Sequence, residues 1–140
     1  MKTLLAILIL AAASQAASAQ VGTQPMKEHC AVYIAIHDNG NKADNAEQMK
    51  LSQACLGYVL GLKDEMEGEL AWGDGEPHKT LTVGNWQDRV TPDQAIRVFV
   101  KYANDNPALL NKPATMVFRQ SMEAAGLYTY TPVTLGNTQR

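Results

Sequence analysis

The sequence predicts an all-α fold, a small single-domain bundle of about four helices. Three observations predict it. Apolar residues recur at helical spacing from about Met26 to Ala125. Capping signatures stand before two of these runs. After an N-terminal leader, about 120 residues remain, enough for one core but too few for two independent ones. A long loop is expected between the central and third helices, and at most a short C-terminal β element.

Residues 1–19 have the pattern of a signal peptide. Lys2 is the positive end, Leu4 to Ala13 the apolar stretch, and Ala17-Ser18-Ala19 the small-residue cleavage site. The mature domain is expected at 20–140, with its core at about 26–128. The apolar stretch is shorter than the roughly 20 residues a bilayer span needs, so stable membrane insertion is not expected. The predicted location is the periplasm.

In the first mature segment, Met26, Cys30, Tyr33, Ile34 and His37 share a helical stripe, although Ala31 to Ile36 alone would also suit a strand. Asn39-Gly40-Asn41 is the expected connection. The central helix starts at about Asn45, capped by Asp44 or Asn45 with Glu47 in its first turn. It carries Leu51, Cys55, Tyr58, Val59, Leu62 and Met66 on one face. Gly57 and Gly61 inside it each cost up to about 1 kcal/mol of helix propensity, which suggests a closely packed neighbour.

Ala71 to Val90 is rich in Gly and Asp, has no regular period, and is long for a connection without a function. Thr91-Pro92-Asp93-Gln94 is a helix start with a capping-box pattern. A helix to about Asn104 follows, burying Ala95, Phe99, Tyr102 and Ala103, and the run into Pro107 ends it. After a short turn at Ala108 to Leu110, the last helix starts at Pro113 and buries Ala114, Val117, Phe118, Met122 and Ala125. Gly126 is its expected stop. The tail from Leu127 is expected either as a short strand or packed over the core.

Cys30 and Cys55 are the two cysteines. In an oxidising compartment a single disulfide is the simplest reading, with a pair of free thiols as the alternative. The formal charge of the whole chain is −2. Without Lys2 the mature chain holds 11 basic and 14 acidic residues, which lacks the basic footprint of nucleic-acid binding.

No enzyme, metal or cofactor is expected. The usual contexts of a nucleophile with its base are absent. His29, His37 and His78 belong to no zinc-like spacing. Asp64, Glu65, Glu67 and Glu69 could be imagined as a glycosidase-like acid pair, but a solvated helix face with a Lys63–Glu67 pair is the simpler explanation. Gly73-Asp74-Gly75 does not follow a strand in a βαβ unit and is no phosphate cradle. Trp72 and Trp86 suit either core anchors or an interface, where tryptophan is enriched. Trp72, Asp74, Glu76 and Trp86 are therefore the candidate protein-binding residues.

Cys55-Leu56-Gly57-Tyr58-Val59-Leu60-Gly61, then Val90-Thr91-Pro92-Asp93-Gln94, Tyr102, Asn106-Pro107, Pro113-Ala114 and a final amphipathic helix occur in an order that resembles the Tai/Rap immunity proteins of type VI secretion. The resemblance covers about Cys30 to Tyr128. It implies a helical periplasmic protein, often a homodimer, that binds and occludes a secreted peptidoglycan-cleaving amidase effector. Family members commonly carry further cysteines where this chain has Asn85-Trp86 and Leu127-Tyr128. The alternative reading is a periplasmic stress chaperone or another helical interaction protein.

Overall fold

The structure, a computed structural model, describes residues 21–72 and 81–133. The expected signal peptide, 1–19, lies outside the described residues. Four helices, α1 (Thr23–Asp38), α2 (Ala46–Met66), α3 (Pro92–Asp105) and α4 (Ala114–Ala124), surround one core. Strands β1 (Leu70–Trp72), β2 (Leu81–Trp86) and β3 (Tyr128–Pro132) form an antiparallel sheet in the order β1-β2-β3.

Helix α1 settles the ambiguity of Ala31 to Ile36 in favour of helix, and it starts without a side-chain cap. The connection between α3 and α4 satisfies its first backbone donors instead. Thr23 and Gln24 donate to the carbonyls of Lys112 (3.0 Å) and Leu110 (3.1 Å), and the buried Thr23 hydroxyl also donates to Lys112 at 2.7 Å. Gly40 (φ 66°) and Asn41 (φ 63°) then turn the chain in the left-handed region that glycine and asparagine tolerate.

Of the two possible caps for α2, Asn45 acts, its side chain accepting from the Gln48 amide at 2.9 Å. Cys55, Val59, Leu62 and Met66 are buried as the period requires, and Leu51 and Tyr58 are half-buried. Cys30 and Cys55 face each other across α1 and α2 with Cα atoms 5.0 Å apart, and they form a disulfide. Gly57 and Gly61 differ from expectation. A Cβ added at either would meet no atom within 4 Å, so no neighbour requires these glycines.

Thr91 caps α3 by accepting from the Gln94 amide at 3.2 Å, and Pro92 occupies the first turn. Replacing Thr91 with Ala is expected to cost about 1 kcal/mol, seen as a lower midpoint in urea, and an unchanged midpoint would contradict the cap's role. Helix α3 buries Ala95, Ile96, Phe99, Val100 and Ala103. Helix α4 buries Ala114, Val117, Phe118 and Met122, while Ala125 is exposed just beyond its end. The Phe99 and Phe118 rings meet at 5.9 Å, joining the two helices in the core. Gly126 (φ 67°) ends α4 as expected.

The all-α expectation is corrected by the sheet, which makes the fold mixed though mostly helical. The expected long loop between α2 and α3 contains the β1–β2 hairpin, and the tail supplies β3. The two-residue period of Leu81 to Trp86 is hidden in the sequence because Asn85 ends the Leu81–Val83 alternation, the helix-facing phase is Thr82, Gly84 and Trp86, and a Gly/Asp-rich run precedes it. No described helix is long and apolar enough to cross a membrane.

Candidate functional site

The hairpin is attached to the end of α2 by a tight backbone junction. After Glu67, Gly68 (φ 69°) reverses the chain. Gly84 donates to the Glu69 carbonyl at 2.8 Å and accepts from the Gly68 amide at 3.1 Å, so two residues oppose one, as in a bulge. Beyond it, Leu70, Ala71 and Trp72 pair with Val83, Thr82 and Leu81. Strand β2 also pairs with β3, from Thr82 opposite Pro132 to Trp86 opposite Tyr128.

Alternation puts Gly84, Trp86, Tyr128 and Tyr130 on the face turned towards the helices. The fully buried Tyr128 crosses over Gly84, and its hydroxyl donates to the Met66 carbonyl at 2.7 Å. A Cβ at Gly84 would lie 1.7 Å from that hydroxyl oxygen, so only glycine fits there. Burial raises the Tyr128 pKa well above the ordinary phenol value, and the group stays a neutral donor.

Trp86 fastens the far end of β2. Its indole N–H donates to the Lys63 carbonyl at 3.2 Å, and its ring packs edge-on against Tyr128 at 5.2 Å. The Lys63 ammonium lies 3.9 Å from the centre of the indole ring and donates to the Val90 carbonyl at 3.1 Å. Burial lowers the Lys63 pKa, opposed by Glu67 and Asp64. Lys63 thus serves the hairpin base, and the expected Lys63–Glu67 helix pair does not form. Replacing Trp86 with Ala is expected to lower stability by about 2 kcal/mol, less than a fully buried Trp because the ring is half-buried. Thermal unfolding checks this, and an unchanged midpoint would contradict it.

A third anchor joins the sheet to α4. The Arg119 guanidinium donates to both the Glu69 carboxylate and the Tyr130 hydroxyl. Burial works against the Arg119 charge, but the hydrogen bonds to Glu69 and Tyr130 and the nearby Glu69 charge outweigh it and raise its pKa. The remaining acidic residues at this end, Asp64, Glu65 and Glu67, are exposed. Among the described residues no group of three or more His, Cys, Asp or Glu side chains is placed to hold a metal ion.

A second charged cluster lies between α1 and α3. Arg97 of α3 reaches Asp38 of α1 at 2.6 Å and Asp93 at 3.0 Å, with His37 beside it. The hydrogen bond from Arg97 lowers the Asp38 pKa. This cluster joins two helices across the surface.

Of the four candidate contact residues, Trp72 ends β1 and Trp86 ends β2, at opposite ends of the hairpin. Asp74 and Glu76 lie outside the described residues. Trp86 is held from several sides, so part of its surface is committed to the fold. Sequence reasoning missed Gly84, Lys63, Tyr128, Arg119 and Tyr130 as the parts that brace the hairpin. The available signal was the alternation of aromatic and threonine residues in Tyr128-Thr129-Tyr130-Thr131.

The resulting arrangement is a short sheet fixed at three places to a disulfide-tied helical core. It suits presentation of a surface to another macromolecule. The family model described as Rap1a immunity proteins matches residues 22–125. No curated protein and no solved structure matches.

Proposed function

The chain belongs to the Rap1a immunity protein family, and from that premise we propose that it protects its cell by binding a peptidoglycan-cleaving amidase effector of type VI secretion. Membership implies a protein toxin as partner. The amidase target, the periplasmic site of action and a homodimeric state extend that membership along the Tai/Rap resemblance and the N-terminal leader pattern. The match across residues 22–125 carries the reading, because it spans the four helices and the hairpin base together.

Binding of this kind works by occlusion. A scaffold that keeps its shape loses little entropy on docking, so a hairpin fixed at its base can fill a cleft and exclude substrate without chemistry of its own. Trp72, Asp74, Glu76 and the accessible part of Trp86 are the proposed contacts, within an interface of roughly 1,200 to 2,000 Å² in total. The test mixes the mature chain with a panel of purified peptidoglycan amidases and follows complex formation by size-exclusion chromatography and peptidoglycan hydrolysis by turbidity. A stoichiometric complex with loss of hydrolysis is the expected result. Neither effect across the panel would refute the amidase reading.

A further inference from the structure

We propose that the outer edge of β1 receives an extended, lysine- or arginine-rich segment of the partner protein as an added antiparallel or parallel strand. The inference deepens the proposed function, naming the contact through which a protein partner is held, and rests on that reading for the partner's identity.

The hydrogen-bond register defines the edge. Both backbone groups of Gly84 are used towards Gly68 and Glu69, so those of Thr82, two residues away, also face β1 and pair with Ala71. The N–H and C=O groups of Leu70 and Trp72 consequently point away from β2. Strand order leaves β1 with one neighbour, and among the described residues nothing pairs with its other side.

Sheet edges are normally blunted by proline, lysine or a bulge on the open side. The opposite edge of this sheet follows that rule, since β3 ends at Pro132, which has no N–H to offer. Strand β1, three residues long, has neither proline nor lysine, and the bulge at Gly68 and Glu69 precedes it on the side of β2. Beside its free backbone groups stands Leu70, 63% exposed and the most exposed large apolar side chain described. On the same outward sheet face, Leu81 and Val83 are half-buried, giving alternate side chains of an incoming strand an apolar surface.

Charge selects the occupant. Among the described residues leading into β1, Asp64, Glu65, Glu67 and Glu69 are acidic, and the neighbouring Lys63 is held over the Trp86 ring. Of these Glu69 is neutralised by Arg119. A second copy pairing through its own β1 would carry the same exposed Asp64, Glu65 and Glu67 to the contact and would be repelled, most strongly at low salt. A basic segment is attracted by the same field.

The test has two arms. In the first, the ¹⁵N-labelled mature protein receives a capped hexapeptide alternating lysine and valine, with its glutamate–valine counterpart as control. The lysine peptide is expected to slow amide exchange at Leu70 and Trp72, and the glutamate peptide to leave both unchanged. Equal effects of the two peptides, or no slowing at either amide at millimolar lysine peptide, would overturn the proposal.

In the second arm, Leu70→Pro removes an outward donor without costing a hydrogen bond to β2, and Leu70→Thr keeps the donor. Against an amidase that the wild-type chain neutralises, Leu70→Pro is expected to bind at least about tenfold more weakly and Leu70→Thr to retain most of the affinity. Unchanged binding by a folded Leu70→Pro variant would overturn the edge contact. If the wild-type chain neutralises no amidase, the proposed function fails, and the peptide arm still decides the edge by itself.

Discussion

Reduction of the Cys30–Cys55 disulfide is expected to lower the stability of the helical domain by about 3 kcal/mol, roughly 10 to 20 °C in melting temperature. The bridge closes a loop with a sequence separation of 25, and both cysteines are fully buried between α1 and α2. Opening it releases chain entropy in the unfolded state while leaving two apolar thiols in the core. The contribution is large for a domain of this size, whose whole stability is on the order of 5 to 15 kcal/mol. Thermal unfolding with and without a phosphine reductant, and of the doubly substituted Cys30→Ala, Cys55→Ala chain, measures it. A shift below about 3 °C would mean that packing alone holds α1 against α2.

The second large effect is expected at Gly84. Gly84→Ala would drive a methyl group into the Tyr128 ring, whose hydroxyl and Cζ lie 1.7 and 2.5 Å from the added atom, with the Met66 carbonyl at 3.3 Å. Tyr128 is wedged between Trp86 and Tyr130, so it must move with the sheet. Overpacking together with the loss of the Tyr128–Met66 hydrogen bond is expected to cost about 3 kcal/mol. Amide exchange in β2 and β3 should accelerate more than in α1. Gly57→Ala is the control, since an added Cβ there meets nothing within 4 Å and alanine favours the helix. That variant is expected to be up to about 1 kcal/mol more stable. If Gly84→Ala were as stable as the parent, the hairpin would not depend on the seating of Tyr128.

The helices were legible because local rules and packing agree in them. Thr91-Pro92 combines a cap with a preset backbone angle, and Asn45 precedes an apolar stripe that the core then uses. The bridge between Cys30 and Cys55 followed from compartment and count. The sheet was not legible as a sheet, because its strands are short and Gly84 has the role of leaving space, which leaves no apolar mark in the sequence. The pairing of β2 with β3 joins residues more than 40 positions apart, beyond the reach of a local period. The same limit applies to Lys63. Its helix neighbour Glu67 is visible at four residues, whereas Trp86, 23 residues away, is brought to it only by the fold.

Trp72 and Trp86 share one aperiodic segment of the sequence, but the structure gives them different settings. Trp86 lies over the core and helps to hold the platform, while Trp72 ends the open-edged strand. The base of the hairpin is thus the end that the core holds. This accounts for a buried tyrosine, a cation stacked on an indole and a paired arginine all meeting at the hairpin base.

The hairpin is the surface proposed above for binding the partner toxin. Hydrogen–deuterium exchange of the mature chain, alone and with an effector that it neutralises, tests it most directly. The account predicts slowed exchange across Leu70 to Trp86 on binding, with the α1–α3 surface around Arg97 unchanged. Slowing confined to the α1–α3 surface, with Leu70 to Trp86 exchanging as in the free protein, would contradict it.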